Sequence, residues 1–459
     1  VIYRYITWHH GLFKKLGIPG PEPTFMGQLT KYSGAVGEMD RELMKTYGKV
    51  VGYYHGRTPV LNVGDPDLAK EICIKHFNNF SSRPFNVPKD LYEEAFLTVA
   101  DGERWKTNRS VLSPSFTSGK LRAMVPFMKQ CTKNFLKHLE NNTESGKAIE
   151  VKTMFNGFTL DVICTTAFGI DIDSQGHPDN PLVVAAKEAT EFNLGDPFIV
   201  LCTLLPFTVS IMDFFGVGFM KRGPKKYMID TIENVISERQ KNPSDRIDFV
   251  SLAMKAKKDS EKRADGRVFN QQDLIGNLLV FMLAAYDTTS TTLSFVSYCL
   301  ATHPDIQDKV LHEINQKLSK DEEPDHENIA KLTYLQQVID ETLRLFPPLV
   351  RTIRYCAEDI DINGTFIAKG TEISFPVFAI QRDPDFWENP DKFDPERFSP
   401  DRKESMNPHA YMPFGMGPRV CIGQRLALLE LKLVLVSILR NYRIHSTPET
   451  EVGPLIAVK

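Results

Sequence analysis

Hydrophobic and polar positions in this chain follow a strand-like pattern near both ends and a helical one between. Val50–Tyr54 and Thr58–Val63, the second closed by Gly64-Asp65-Pro66, read as short strands with turns. From about residue 66 to 346 the pattern is mostly helical. Another strand-rich patch follows: Ile360–Ile362, a tight turn at Asn363-Gly364, then Phe366-Ile367 and Thr371–Phe375. No repeat, low-complexity tract or long Gly/Ser linker interrupts this order. The prediction is a mainly α chain with small β-sheets, most simply one domain.

Two apolar stretches need placing. Asn270–Ala301 predicts one long helix, with Gln271, Gln272 and Asp273 in its first turn and His303-Pro304 ending it. Its centre, Leu278–Tyr286, is apolar nearly all round, as in a buried helix. Asp287, Thr288, Thr289, Ser290, Thr291 and Thr292 follow at once. Such groups either satisfy their own backbone or face a cavity, because an unpaired buried polar group is costly. The second stretch, Phe198–Met212, is broken by Pro206 and too short to span a bilayer. It is a core segment or a patch that dips into a membrane interface.

Composition narrows the classes. The 459 residues are 42% hydrophobic and 25% charged, the balance of a globular protein with a sizeable core. A net charge of -3 gives no sign of nucleic acid as a partner. The seven cysteines (73, 131, 164, 202, 299, 356, 421) are odd in number, widely spaced and without a CxxC pair. That argues against a disulfide framework or structural zinc and for a reducing compartment. No run of about eighteen apolar residues predicts a complete membrane-spanning helix. Val1–His10 is nevertheless aromatic and apolar, and Lys14, Lys15 and the stiff Ile18-Pro19-Gly20-Pro21-Glu22-Pro23 follow. That order fits the stretch just after a membrane anchor, and equally an ordinary frayed terminus.

Candidate chemistry lies near the C-terminus, in Phe414-Gly415-Met416-Gly417-Pro418-Arg419-Val420-Cys421-Ile422-Gly423. Two glycines and a proline force a tight, non-helical loop whose backbone can approach something flat and bulky. Cys421 closes the loop just before the helical run Leu426–Leu439, where a helix dipole and free N–H groups favour a thiolate. Arg419, two residues away, can pair with an anion. A lone cysteine is by default inert core; this setting is more specific.

The string resembles the cysteine loop of the cytochrome P-450 superfamily, FxxGxRxCxG, at every fixed position. The resemblance implies that Cys421 is the proximal thiolate ligand of haem iron, flanked by Phe414 and Gly423, and thiolate donation favours O–O cleavage. Glu341-Thr342-Leu343-Arg344 resembles the family's ExxR, whose ion pair is completed in relatives by an arginine that Arg397 matches. Taken alone, an ExxR is an ordinary surface pair. Trp105 and Arg109 resemble the WxxxR that reaches a haem propionate, and Arg354 and Arg419 match further propionate partners. Ser82 and Arg83 occupy a pair commonly basic in relatives, so the serine implies one cationic partner fewer.

The likeness covers essentially the full length and is greatest to animal microsomal enzymes of broad specificity that oxidise drugs and steroids. It runs through 10–21, 112–121 and 301–305. It implies a single-domain cytochrome P-450 fold (α+β), with haem b, iron protoporphyrin IX, between the long I helix at Asn270–Ala301 and the L helix at Leu426–Leu439. Residues 1–23 would be the remainder of a membrane-anchor region and a proline-rich hinge, and 24–459 the catalytic domain.

Ala284-Ala285-Tyr286-Asp287-Thr288-Thr289 resembles the family's (A/G)GxxTT oxygen-activation motif. That implies Thr288 bonding to dioxygen and Asp287 feeding protons from solvent. Ala285 stands where relatives usually carry glycine, which narrows the groove or tightens helix packing. Matched positions imply a substrate pocket of Phe85, Val280, Leu283, Ala284, Thr288, Leu349, Val350 and Ile353. It is mostly apolar, for lipophilic substrates, with Arg351 the exception. Phe198–Phe219 matches the membrane-dipping region. After 447–452, only 453–459 remains where relatives carry a longer strand–turn–strand.

The implied activity is a monooxygenase that uses O2 and electrons from NADPH to oxidise steroids, xenobiotics or fatty acids. The implied partners are NADPH-cytochrome P-450 reductase, with cytochrome b5 a further candidate, and the implied location is the endoplasmic reticulum membrane, catalytic domain on the cytoplasmic side. Nine Lys/Arg between 104 and 147 (104, 106, 109, 120, 122, 129, 133, 137, 147) face two acids, Glu140 and Glu144. This basic surface suits an acidic reductase, or is a pair of solvated helices. The rival readings are a haem-thiolate peroxide isomerase of the thromboxane synthase kind, which has no need of Asp287 and Thr288, and a non-catalytic haem sensor.

Overall fold

The structure is a computed structural model that describes residues 2–24, 35–83, 87–144, 148–190, 196–242, 246–261 and 268–450. Phe85, Lys147 and the 453–459 tail lie outside the described residues. Among the described residues six short strands form: β1 (Val50–His55), β2 (Thr58–Val63), β3 (Thr352–Tyr355), β4 (Ile360–Ile362), β5 (Thr365–Ile367) and β6 (Glu372–Phe375). They make one sheet in the order β1-β2-β6-β3 and a separate β4-β5 hairpin. The hairpin turns through Asn363 and Gly364 at φ 52 and 83, the left-handed pair that an Asn-Gly turn supplies. β2 and β6 run parallel, so the sheet joins chain segments some three hundred residues apart, Val60 opposite Glu372 and Asn62 opposite Ser374. The other strands match the sequence reading; β3 does not follow from its own residues, being four long and set by its pairing with β6.

Between the sheet-forming segments lies a helical core, and the longest helix, Gln271–Thr302, runs through it. Its start is fixed by a capping box. Asn270 accepts from Asp273 N at 2.8 Å, and Asp273 accepts from Asn270 N at 3.1 Å. The helix stays continuous through its threonine-rich turn. The hydroxyls of Thr288, Ser290, Thr292 and Ser294 each donate to the carbonyl four residues back, at 2.7–2.9 Å. Helix Val151–Ile163 packs along it, and helix Gln424–Asn441 follows the cysteine loop.

The Phe198–Met212 stretch is not core. It forms two helices, Pro197–Leu204 and Phe207–Phe214, bent by 117° across Pro206. Of their side chains only Cys202 is buried. Tyr5 of the N-terminal segment meets Phe207 edge-on at 5.7 Å. That segment is docked further along: Pro19 O accepts from Gly52 N at 2.8 Å, and a Cβ on Gly20 would lie 1.9 Å from the Gly52 carbonyl oxygen.

Candidate active site

Six of the seven cysteines are buried; Cys421 alone is exposed. Its loop is closed by Cys421 N donating to Phe414 O at 2.9 Å. Gly415 and Gly417 sit at φ 77 and 72, and a Cβ on Gly417 would lie 2.2 Å from the carbonyl oxygen of Cys73. The flat neighbour that Gly417 admits is therefore backbone. Gly423, by contrast, meets only the Cys421 sulfur, at 4.0 Å. The loop keeps its open side in front of the thiol.

The sequence pointed to a thiolate stabilised by the following helix. In the protein, crowding around Cys421 pushes the thiol up. The N–H groups of Gly423 and Gln424 and the guanidiniums of Arg109 and Arg83 pull it down, but less. The sulfur is open on one side and hemmed in on the others. A bound cation would tip this balance, since metal ligation deprotonates a thiol outright.

Four arginines gather beside it. Arg419 is buried, donating to Ser81 O at 2.9 Å and to Ala100 O at 2.7 Å, and it lies over the Trp105 ring at 4.3 Å. Trp105 thus serves as a platform for Arg419. Arg83 donates to Arg419 O at 3.0 Å, and Arg354 to Ile353 O at 2.7 Å. Burial pulls Arg83 down to about 9, and its neighbours Arg354 and Arg419 add to that; burial also lowers Arg419, to about 10, and Arg354 and Arg109. The carboxylate in reach is Asp101, 3.1 Å from Arg419. The Nε atoms of Arg83 and Arg354 are buried without a partner among the described residues. Crowded guanidiniums with unmade hydrogen bonds call for an anionic group larger than one aspartate. The two carboxylates of a haem meet that need, and the lone exposed thiol beside them suits its iron.

A buried ion network reaches the base of the loop through Gln381, whose carbonyl accepts from Arg344 and whose Oε1 accepts from Met412 N at 2.9 Å. Arg344 bonds both oxygens of Glu341, at 2.7 and 2.8 Å, and neither side chain has exposed surface. Its other N–H groups go to the carbonyls of Gln381, Pro390 and Lys392. Arg397 approaches Glu341 at 3.3 Å and donates to Asn389 O at 2.8 Å.

On the other side, Ala284 and Asp287 are exposed and Thr288 half-exposed in the middle of a mostly buried helix. At i, i+3 and i+4 they share one face. Phe281, one turn earlier, packs with Ile422 of the cysteine loop against the cluster of Leu97, Ala100 and Trp105. The central helix and the cysteine loop therefore border the same space.

The cytochrome P450 family model matches residues 18–456. The chain belongs to the cytochrome P450 family. It is 37% identical over 455 residues to cytochrome P450 3A6 of Oryctolagus cuniculus and to cytochrome P450 3A13 of Mus musculus, covering 98% of this chain and 90% of each relative. It is likewise 37% identical over 458 residues to cytochrome P450 3A29 of Sus scrofa, with the same coverage. This cytochrome P450 is a haem-thiolate monooxygenase. It works with a redox partner, dioxygen and a lipophilic substrate, its electrons coming from NADPH. The peroxide-isomerase reading is not favoured.

Within this P450 the pocket positions divide. Val280 is buried, Leu283, Val350 and Ile353 are half-buried, and Leu349 is exposed. Arg351 is not the pocket's charged exception. Its guanidinium turns to Asp40, bonding both carboxylate oxygens at 2.9 Å, and to Tyr53 Oη at 3.1 Å. Ala285 is half-buried against the helical core, so its methyl serves packing. Sequence reasoning missed Lys152, whose ammonium lies 2.8 Å from Asp287. The one signal for it was a lysine in the first turn of a helix, just after Glu150. Arg83 was noted only as one of a basic pair; its unpartnered Nε gives it a place among the anion partners.

Proposed function

We propose that this P450 inserts one oxygen atom into lipophilic substrates such as steroids and xenobiotics, with Cys421 as the ligand of haem iron. The observation that carries this is the one exposed thiol beside four crowded guanidiniums, two of them, Arg83 and Arg354, with an Nε that has no partner among the described residues. Haem held by a thiolate supplies the reductive cleavage of dioxygen. Per turnover, one oxygen atom enters a C–H bond or heteroatom and the other leaves as water, consuming two electrons and two protons. Arg83, Arg109, Arg354 and Arg419 hold the cofactor's carboxylates. Phe414 and Gly423 keep the thiol's approach open, and the buried Glu341–Arg344–Arg397 network fixes the loop's footing. Asp287 takes protons from water and passes them to the Thr288 hydroxyl, whose own hydrogen already rests on Ala284 O at 2.7 Å. Val280, Leu283, Ala284, Leu349, Val350 and Ile353 form the apolar wall for substrate.

The electron donor on this reading is NADPH-cytochrome P450 reductase, with cytochrome b5 second, at the cytoplasmic face of the endoplasmic reticulum. The basic surface supports this less broadly than its charge count. Arg104 pairs with Asp273, Lys106 with Glu103, Arg122 with Glu327, and Lys129 and Lys133 with Glu323. Lys120 and Lys137 have no ion pair among the described residues and are the better docking cations. The exposed aromatic helices beside Pro206 support the membrane location.

The test is a pair of variants of the reductase-coupled holoenzyme. Cys421→Ser is expected to abolish the red-shifted Soret band of the reduced, carbon monoxide-treated protein; a retained band refutes Cys421 as ligand. Thr288→Ala is expected to lower product per NADPH about tenfold or more and to release peroxide. An unchanged yield removes the hydroxyl from proton delivery.

A further inference from the structure

Lys152 breaks a local rule of its own helix. It sits in the first turn of Val151–Ile163, where the positive end of the helix dipole disfavours a cation. The Glu150 side chain offsets this, accepting from Lys152 N at 3.0 Å and from Thr153 N at 2.6 Å. A residue placed against local preference and then compensated points to a use elsewhere.

That use lies across the helix interface. The Lys152 ammonium has four oxygens in reach: Thr291 Oγ1 at 2.7 Å, Ser290 Oγ at 2.8 Å, Asp287 Oδ1 at 2.8 Å and Asp287 O at 3.2 Å. It has three N–H groups to give, so the longer carbonyl contact is shared. Two residues one and two turns further along the same face hold the same turn. Asn156 Oδ1 lies 2.6 Å from Ser290 Oγ and shares its one hydrogen with Tyr286 O, and Thr159 Oγ1 donates to Tyr286 O at 2.8 Å.

Asp287 is bound at Oδ1 only. Its Oδ2 has no partner among the described residues, and its side chain is 53% exposed. An unheld aspartate in that position would spread over several rotamers. We propose that Lys152 is a positioning residue for proton delivery, clamping Asp287 through Oδ1 so that Oδ2 stays free to exchange protons with water beside Thr288. This rests on the reading of Asp287 as the proton-passing acid.

The experiment uses the holoenzyme with reductase and compares Lys152→Met, Lys152→Arg, Asp287→Asn and the Lys152→Met/Asp287→Asn double variant. Lys152→Met is expected to lower product per NADPH about fivefold, raise peroxide to match, and leave the spectral substrate Kd unchanged. Lys152→Arg should restore most of the yield. In the Asp287→Asn background, Lys152→Met should add less than about twofold. Hydrogen exchange in the peptide spanning 286–292 should quicken about fivefold in Lys152→Met, a readout that needs no turnover. The positioning role is overturned if Lys152→Met keeps its yield while Asp287→Asn loses it, or if Lys152→Arg does no better than Lys152→Met. An unchanged yield in Asp287→Asn overturns the underlying proton reading, and this inference with it.

Discussion

Glu341 and Asp161 are both buried acids, and they sit in opposite electrostatic regimes. Glu341 has Arg344 on both oxygens, Arg397 beside it and the Asp394 N–H at 2.8 Å, so its charge is answered. Asp161 has, among the described residues, only Ser174, whose N–H and hydroxyl donate to one oxygen at 2.9 and 2.5 Å. Burial therefore dominates and pushes Asp161 up to about 7, with the Ser174 bonds opposing. A carboxyl whose folded value is raised favours the folded state while it is protonated. Its contribution is fully present below the unfolded value near 4 and is lost as pH rises through about 7. Asp161→Asn keeps the acceptor oxygen and cannot ionise. Denaturant unfolding of the holoenzyme should show the wild type losing roughly 1–3 kcal/mol more than Asp161→Asn between pH 5 and 8. Parallel pH curves for the two proteins would show that Asp161 is already ionised in the fold.

At the scale of elements, the central helix shows which features were legible in sequence. Its start and stop lie in adjacent residues, Asn270 with Asp273 and His303 with Pro304, and the structure places the helix within a residue of them. Asn270→Ala removes an acceptor from Asp273 N and leaves the Asp273 carboxylate half of the box. The expected cost is about 1 kcal/mol in unfolding free energy, with the haem spectrum unchanged; a loss below a few tenths would mean that packing alone sets the helix start. The threonine-rich turn was legible as polar, and both alternatives hold: its hydroxyls bond backward, while Ala284, Asp287 and Thr288 face open space. What was not legible depends on partners far along the chain. β3 exists because β6 lies beside it, and Arg351 leaves the pocket because Asp40, 311 residues earlier, draws it away. The cysteine loop could be read because its glycines, arginine and thiol lie within ten residues. The clamp on Asp287 could not, because Lys152 is 135 residues upstream.

At the scale of the molecule, one face departs from ordinary protein surface. Phe214 is 85% exposed, Phe215 74% and Trp8 72%, and Tyr3, Phe207 and Ile211 are each at least half exposed. The Tyr5–Phe207 contact ties the N-terminal segment to the helices around Pro206, so these residues form one patch from two distant stretches of chain. The 117° bend explains why neither helix buries its apolar side: two helices of eight residues meeting at that angle turn their outer faces away from the core. A patch of this size with large aromatics suits the lipid interface, where each buried phenylalanine contributes about 1.5–3 kcal/mol. Replacing both Phe214 and Phe215 by serine removes two of the most exposed rings while leaving the core and the cysteine loop untouched. The double variant should bind phosphatidylcholine vesicles at least about tenfold more weakly in a sedimentation assay, given that even half the expected apolar gain is lost. Its product per NADPH in detergent solution should match the wild type. Equal vesicle binding by the two proteins would place the membrane contact elsewhere and leave the rings to meet another partner.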